Sequence, residues 1–263
     1  MSLITTFQVP RRVLHSWDLV WNLVTRDFRV RYKDSVLGVA WAVVIPLVQL
    51  LIFFFLFKMV LALEIRRYSS STFIGLLVWG WFSASLNESV QVLKNNRDLV
   101  EQPGFPAGVL PVVSVTTNLM GFLIAMPLML GIVLIEGGVI DAVVLFTPVL
   151  LAIEFMLTLG LAYVFAAINA AFRDTRHLLA VGLQLYFFLT PIFYDINSVP
   201  TEYRPLFDLN PMVHLVQAYR AVLMHASTPD WESLAWVVLF SLVTLALGMR
   251  LYDWSRYRYL EEL

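Results

Sequence analysis

The sequence predicts an all-α polytopic membrane protein with six transmembrane helices and both termini in the cytoplasm. It also predicts an amphipathic N-terminal helix in the interface and short re-entrant helices before the last span. Three observations carry this expectation. Of the 263 residues 59% are hydrophobic and only 14% charged, against about 25% charged in ordinary soluble domains. Six segments approach the length of about 20 mostly apolar residues that a bilayer requires. Lys and Arg are distributed very unevenly among the connections between them. No repeat and no low-complexity linker interrupts the pattern, so one domain is expected, with 1–36 as a cytoplasmic or interfacial segment and 37–263 as the membrane part.

The first predicted span is Leu37 to Phe57, uncharged and broken only by Pro46 and Gln49. The second begins at Thr72 and runs through Trp79, Trp81 and Leu86 to the polar pair Asn87 and Glu88. The third covers Val109 to Ile135, and the fourth lies within Val139 to Phe172 and contains Glu154. The fifth, Leu178 to Tyr194, is short; the sixth is Leu234 to Leu251. Orientation follows from the basic residues, which gather on the cytoplasmic side. Arg11, Arg12, Arg26, Arg29, Arg31 and Lys33 precede the first span, Lys94 and Arg97 follow the second, Arg173 and Arg176 follow the fourth, and Arg250, Arg256 and Arg258 end the chain. That makes 13 on one side, against Arg66, Arg67, Arg204 and Arg220 on the other, with Lys58 near a span end.

Before the first span, Leu14, Trp17, Trp21, Val24 and Phe28 recur at helical spacing opposite His15, Asp18, Asn22, Arg26 and Arg29. Such a stripe suits a helix lying in the headgroup layer; it equally suits one packed on the chain's own spans, and one helix can do both. No apolar h-region occurs before residue 36, so no signal peptide is expected there. On the outer side, Asp195 to Ser233 carries Pro200, Pro205 and Pro211 and then an apolar piece, Met212 to Met224, too short to cross. Re-entrant half-helices and a folded cap outside the membrane are both open readings.

Motifs for catalysis are missing. None of the twelve glycines begins a P-loop, no GxGxxG or GxSxG is present, and the four histidines lack ligand spacing. No catalytic residue and no metal site is therefore expected. With net charge −1, nucleic acid is not an expected partner. Glu154, inside a span, fits either a polar lining of a substrate path or a hydrogen-bonded carboxyl that joins helices. Ala162, Ala166 and Ala170, one turn apart, permit close helix approach. The aromatic clusters, Phe53 to Phe57 and Tyr186, Phe187, Phe188, Phe193 and Tyr194, read as membrane-belt anchors; a minority of them fits a passage for a sugar chain.

Taken together, four stretches resemble the permease subunit of polysaccharide-exporting ABC transporters, the family that moves O-antigen, teichoic acid or capsule chains. They are RDFRVRYKDSVLGVAWAVVIPL from Arg26, NNRDLVEQPGFPAGVLPV from Asn95, FRDTRHLLAVGLQLYFFLTPIFY from Phe172 and LNPMVHLVQAYRAVLM from Leu209. They fall in order along a six-span layout and are distributed over nearly the whole chain. Ala107 departs from the pattern, standing where the family often has a basic residue after Phe-Pro.

The resemblance implies a homodimer paired with two copies of a separate ATPase, which holds ATP and Mg while this chain holds no cofactor. It implies a place in the cytoplasmic (inner) membrane. Asn95, Asn96, Arg97, Asp98 and Leu99 would form the loop that couples to the ATPase. Arg26, Arg29, Arg31 and Lys33 would meet the pyrophosphate of a lipid-linked polysaccharide at the entrance, unless they only serve the positive-inside rule against anionic lipid. Asn210, Pro211, Tyr219 and Arg220 would build the outer gate, and Tyr186, Phe187, Phe193, Tyr194 and Glu154 would line the passage. Two other functions stand beside this one: an ABC permease for drugs or small lipids, and a membrane-embedded enzyme acting on an isoprenoid carrier.

Overall fold

The computed structural model describes residues 11–62 and 67–261, with side chains described over 17–62 and 67–255. Arg66 and the side chains of Arg11, Arg12, Leu14, His15, Arg256 and Arg258 lie outside the described residues. The described chain is all-helical: α1 Arg11–Tyr32, α2 Trp41–Phe53, α3 Tyr68–Ser89, α4 Val92–Asn95, α5 Arg97–Val100, α6 Val109–Ile135, α7 Thr147–Ala171, α8 Thr175–Phe188, α9 Arg204–Asp208, α10 Pro211–Met224 and α11 Trp231–Glu261. Among the described residues, four segments are long and apolar enough to cross a bilayer: Gly38–Val60, Val109–Ile135, Ala142–Ala171 and Trp231–Ser255.

These four coincide with the first, third, fourth and sixth predicted spans. The first is composite. A 3-10 turn at Gly38–Ala40 leads into α2, and a π-helical stretch, Phe54–Val60, completes it. Among its side chains only Leu50 is fully buried, so this segment has little protein around it. The second predicted span is α3, 22 residues long but polar at both ends, from Ser69–Ser71 to Asn87 and Glu88. Nearly every side chain from Thr72 to Trp79 is buried by other helices. A helix so enclosed has little need of lipid-compatible ends, which is why it is less apolar than the other four.

The fifth predicted span differs most. Its helix, α8, begins at Thr175 and ends at Phe188, and 14 residues rise only about 21 Å against about 30 Å of hydrocarbon. Pro191 is the physical reason: it has no N–H and drives Thr190 out of the helical region. α10, also 14 residues, is the most enclosed of the short helices, with Met212, Leu215, Val216, Tyr219 and Val222 all in the core. It packs against α3, α6, α7 and α11.

On α1, Val20, Leu23 and Val24 are buried against Val113 of α6, with Val109 and Val112 beside them. Trp17 and Trp21 are 65% and 54% exposed. The predicted stripe is thus divided between a protein-facing edge at Val24 and an open tryptophan edge, so one helix packs on the bundle and still presents an apolar face outward.

α7 and α11 run together along most of their length and meet backbone to backbone. A Cβ on Gly160 would stand 2.7 Å from the Leu245 nitrogen, and one on Gly248 would stand 2.6 Å from the Gly160 carbonyl oxygen. The predicted small-residue stripe is buried as expected at Ala162 and Ala166, but the tightest approach belongs to the two glycines.

Candidate functional site

At one end of the bundle the predicted coupling loop and the predicted entrance helix form one structure. The chain after α3 makes two single-turn helices, α4 and α5. Val92, Leu93 and Val100 anchor them in the core, while Asn95, Arg97 and Asp98 are exposed. Asn96 donates from Nδ2 to the Val92 carbonyl at 3.0 Å and accepts at Oδ1 from Arg26 Nη2 at 3.4 Å. Leu99 is half-buried and packs on the cluster that seats α1. Arg97 pairs with Glu101 one turn on. A cleft of about 350 Å³ is lined by Arg26, Asp27, Glu88, Asn95 and Asn96. The result is a rigid, apolar-anchored knuckle with a charged outer surface, joined directly to α1.

Arg31 has a different setting from the one expected for a free anion contact. Its Nη2 donates to Glu88 Oε2 at 2.6 Å and its Nη1 to Asn118 Oδ1 at 2.8 Å. Asn118 Nδ2 closes the ring by donating to Glu88 at 2.8 Å and to the Ser114 carbonyl at 2.8 Å. One side chain each from α1, α3 and α6 therefore meet, and α3 is the helix that runs straight into α4 and α5. Asn118 had no signal in the sequence, being one polar residue in an apolar run. Arg26 is paired with Asp27 at 2.9 Å, and Arg29 and Lys33 are exposed at the end of α1.

At the other end, Asn210 caps α10. Its Oδ1 accepts from Met212 N at 2.8 Å and Val213 N at 3.3 Å, and also from the Tyr186 hydroxyl at 2.5 Å. Its Nδ2 donates to the Leu189 carbonyl and to Thr190 Oγ1. Pro211 takes the first helical position, where a missing N–H costs nothing. Arg220, 5% exposed, donates to the Ser71 carbonyl from Nε and Nη2 and to the Ile192 carbonyl from Nη2 at 2.8 Å. Gly75 makes room for this turn, since a Cβ there would lie 3.1 Å from the Ile192 backbone. The predicted gate residues thus bind α10, the end of α8 and the start of α3 into one unit.

The aromatic residues pack on one another and stay half-buried in the single subunit. Phe193 stacks on Phe53 at 5.2 Å and on Phe57 at 5.1 Å, and it lies edge-on to Tyr194. Tyr186 and Phe187 lean on Trp79. Glu154 is fully buried on α7 and lies against the equally buried Tyr219 of α10, with no third polar partner among the described residues. Within one subunit it faces a neighbouring helix and not open space.

Glu136 acts where the sequence shows only a plain turn. Its carboxylate accepts from Ser69 N at 3.2 Å, Ser70 N at 2.9 Å and Ser70 Oγ at 2.6 Å, capping α3 from the end of α6. Arg67 beside it donates to the carbonyls of Met224 and Gly137. Partial burial pushes the Glu136 carboxyl up, but the donors of Ser70 and Ser69 outweigh it and leave the pKa below the usual 4.5. A depressed pKa means that the stabilisation is complete above the ordinary carboxylate range and is lost as pH falls through the folded value. The melting temperature of the purified subunit is expected to drop on acidification through that window. E136Q should flatten the drop and cost about 1 kcal/mol at neutral pH; an unchanged pH profile would remove the clamp.

The sequence matches the family model described as ABC-2 type transporter over residues 18–224. The chain belongs to the ABC-2 type transporter family. Curated relatives resemble this ABC-2 chain over nearly their whole length. An O-antigen export system permease protein RfbA of Myxococcus xanthus is 34% identical, with 93% of this chain and 95% of that protein covered. A protein of the same name from Klebsiella pneumoniae is 27% identical over 94% and 95%. The polysialic acid transport protein KpsM of Escherichia coli is 27% identical over 88% and 90%. This ABC-2 chain is accordingly a multi-pass membrane protein and a transport subunit rather than a catalytic enzyme.

Proposed function

We propose that this chain is the permease of an ABC exporter that carries a lipid-linked polysaccharide across the cytoplasmic membrane, driven by ATP hydrolysis in separate subunits. The observation that carries the reading is similarity over nearly full length to both an O-antigen export permease and a polysialic acid transport protein. Six crossings are the accompanying layout, with α3 and the α8–α10 pair completing the four long spans, both ends inside and α8 and α10 as half-helices. A homodimer is favoured by the open faces of α2 and α8. Leu178, Val181, Leu185 and Phe188 are exposed along a helix too short for lipid alone, and the polar Gln184 is exposed among them. The passage would then run between two copies, flanked by α2 and α8. ATP and Mg would sit in the partner ATPase, docked on the α4–α5 knuckle.

The test is to isolate the chain from its native membrane, identify any P-loop ATPase that comes with it, and delete the gene for the chain. Co-purification as two copies of each, together with loss of surface polysaccharide on deletion, is expected. Failure of both would sink the reading. D98R, on the exposed face of the knuckle, is expected to leave membrane insertion unchanged while uncoupling ATP hydrolysis from export, because a like-signed or misplaced charge at a docking rim disrupts pairing. Unchanged export in that variant would free the knuckle of the coupling role.

A further inference from the structure

Between α1, α2, α3 and α6 lies a cavity of about 440 Å³. Its body is apolar, walled by Ile45 and Pro46 of α2, Leu77 and Trp81 of α3 and Phe122 of α6. Its other walls are recessed, because small residues stand where side chains would fill it. A Cβ on Gly80 meets nothing within 4 Å, and one on Gly121 meets only the Ala42 Cβ at 4.0 Å. One end is polar, formed by Arg31 and Asn118. The cavity opens past Trp41 and Ile45, which are 40% and 53% exposed on the span with the least protein around it. We propose that this cavity binds a phosphate-headed lipid, its chain along Ile45, Pro46 and Trp81 and its phosphate on Arg31 and Asn118.

The physical argument has three parts. Volumes of about 300–1,000 Å³ with apolar walls and few convergent polar groups are those of small-molecule sites. The mouth lies at Trp41 and Ile45, at the start of α2; with that edge of the span turned to lipid and the passage on its other side, an apolar chain reaches the cavity sideways without crossing water. The polar end selects an anion. A guanidinium has five N–H donors in a fork that fits phosphate oxygens, and its bonds to Glu88 and Asn118 use two of them.

Glu88 sets the strength of the site. While it pairs with Arg31 the polar end is neutral, so an anionic headgroup must share or displace the carboxylate and is held weakly enough to leave. Because Glu88 is one residue from the end of α3 and the coupling turns follow at once, movement of those turns would alter the pairing and with it the affinity. The site rests on the reading of α2 as a span within the bilayer, and in the exporter it would hold the carrier's phosphate end.

The decisive measurement is equilibrium binding to the full chain in phosphatidylcholine nanodiscs, with a radiolabelled polyprenyl phosphate as probe. Phosphatidylglycerol and inorganic phosphate serve as competitors. One probe per chain is expected, with binding weakened about tenfold or more in G80L, which fills the cavity, and in R31Q, and strengthened about tenfold in E88Q. Competition by phosphatidylglycerol, or its lack, with none from inorganic phosphate, supports a site that needs chain and phosphate together; the first result makes it general for phospholipids, the second particular to the slender chain. Equal binding by G80L and wild type, or displacement by inorganic phosphate alone, overturns it. G80L guards against misfolding of R31Q, since its new side chain enters open space. Surface polysaccharide on deletion is scored separately: binding as expected with a normal surface leaves the cavity and removes the export function, whereas an export defect with G80L binding unchanged removes the cavity alone.

Discussion

G248L is expected to eliminate most of the folded subunit. Gly248 faces Gly160 at the crossing of α11 and α7, and a Cβ there would stand 2.6 Å from a carbonyl oxygen and 2.9 Å from the Tyr163 Cβ. Neither neighbour is the far end of a flexible side chain, so only separation of the helices relieves the clash. Overpacking costs about 1–3 kcal/mol and more when backbone must shift. Separation would also loosen the cluster of Tyr163, Ala166, Ala167 and Tyr252 one turn away, where the Tyr252 hydroxyl donates to the Ala107 carbonyl at 3.0 Å. Against a total stability of about 5–15 kcal/mol, the combined loss is a large share. The readout is the monodisperse fraction after detergent extraction. G131A is the control: nothing lies within 4 Å of its new Cβ, and alanine gains up to about 1 kcal/mol over glycine in a helix. A normal yield of G248L would show that the two helices do not depend on this approach.

What the sequence makes legible here is whatever depends on one helix at a time. Long, mostly apolar runs mark α6, α7 and α11 because lipid contact imposes composition on each independently. Pro191 marks where α8 must stop, although the fifth span read from hydropathy alone runs through it to Tyr194, because apolar composition continues past the helix end; Asn210 followed by Pro211 stands at the start of α10. Pairings between distant segments leave no such trace. Gly160 and Gly248 are isolated glycines in apolar helices, and only their meeting makes them indispensable. Glu136 sits in an ordinary-looking turn, yet it caps α3 across the bundle. Arg31 reads as one more positive-inside charge until Glu88 and Asn118 are found on it. The aromatics are the instructive middle case: their clustering is visible, but a run such as Phe53 to Phe57 does not tell which rings meet a distant partner, as Phe53 and Phe57 meet Phe193, and which stay exposed, as Phe55 does.

R220A is expected to lower the melting temperature of the subunit sharply and to impair export beyond that loss. Arg220 is buried, and its guanidinium satisfies the carbonyls of Ser71 and Ile192. Hydrogen bonds from a charged group contribute about 1.5–3 kcal/mol, and their buried acceptors are left unpaired when the donor goes. A net cost of about 3 kcal/mol corresponds to about 6–12 °C for a chain of this size. R220K keeps the charge but lacks the fork that reaches two carbonyls, so it should recover only part of the loss. The functional consequence follows from the turn that Arg220 grips. Asn210 binds the same turn at Leu189 while Arg220 binds it at Ile192, so the end of α8 and both ends of α10 move together or not at all. Releasing one grip lets α8 shift without α10. Export measured well below the melting temperature should therefore fall in R220A although the folded protein is present in normal amount. Normal export under those conditions would reduce Arg220 to a purely stabilising residue and deny the unit of α3, α8 and α10 any part in opening.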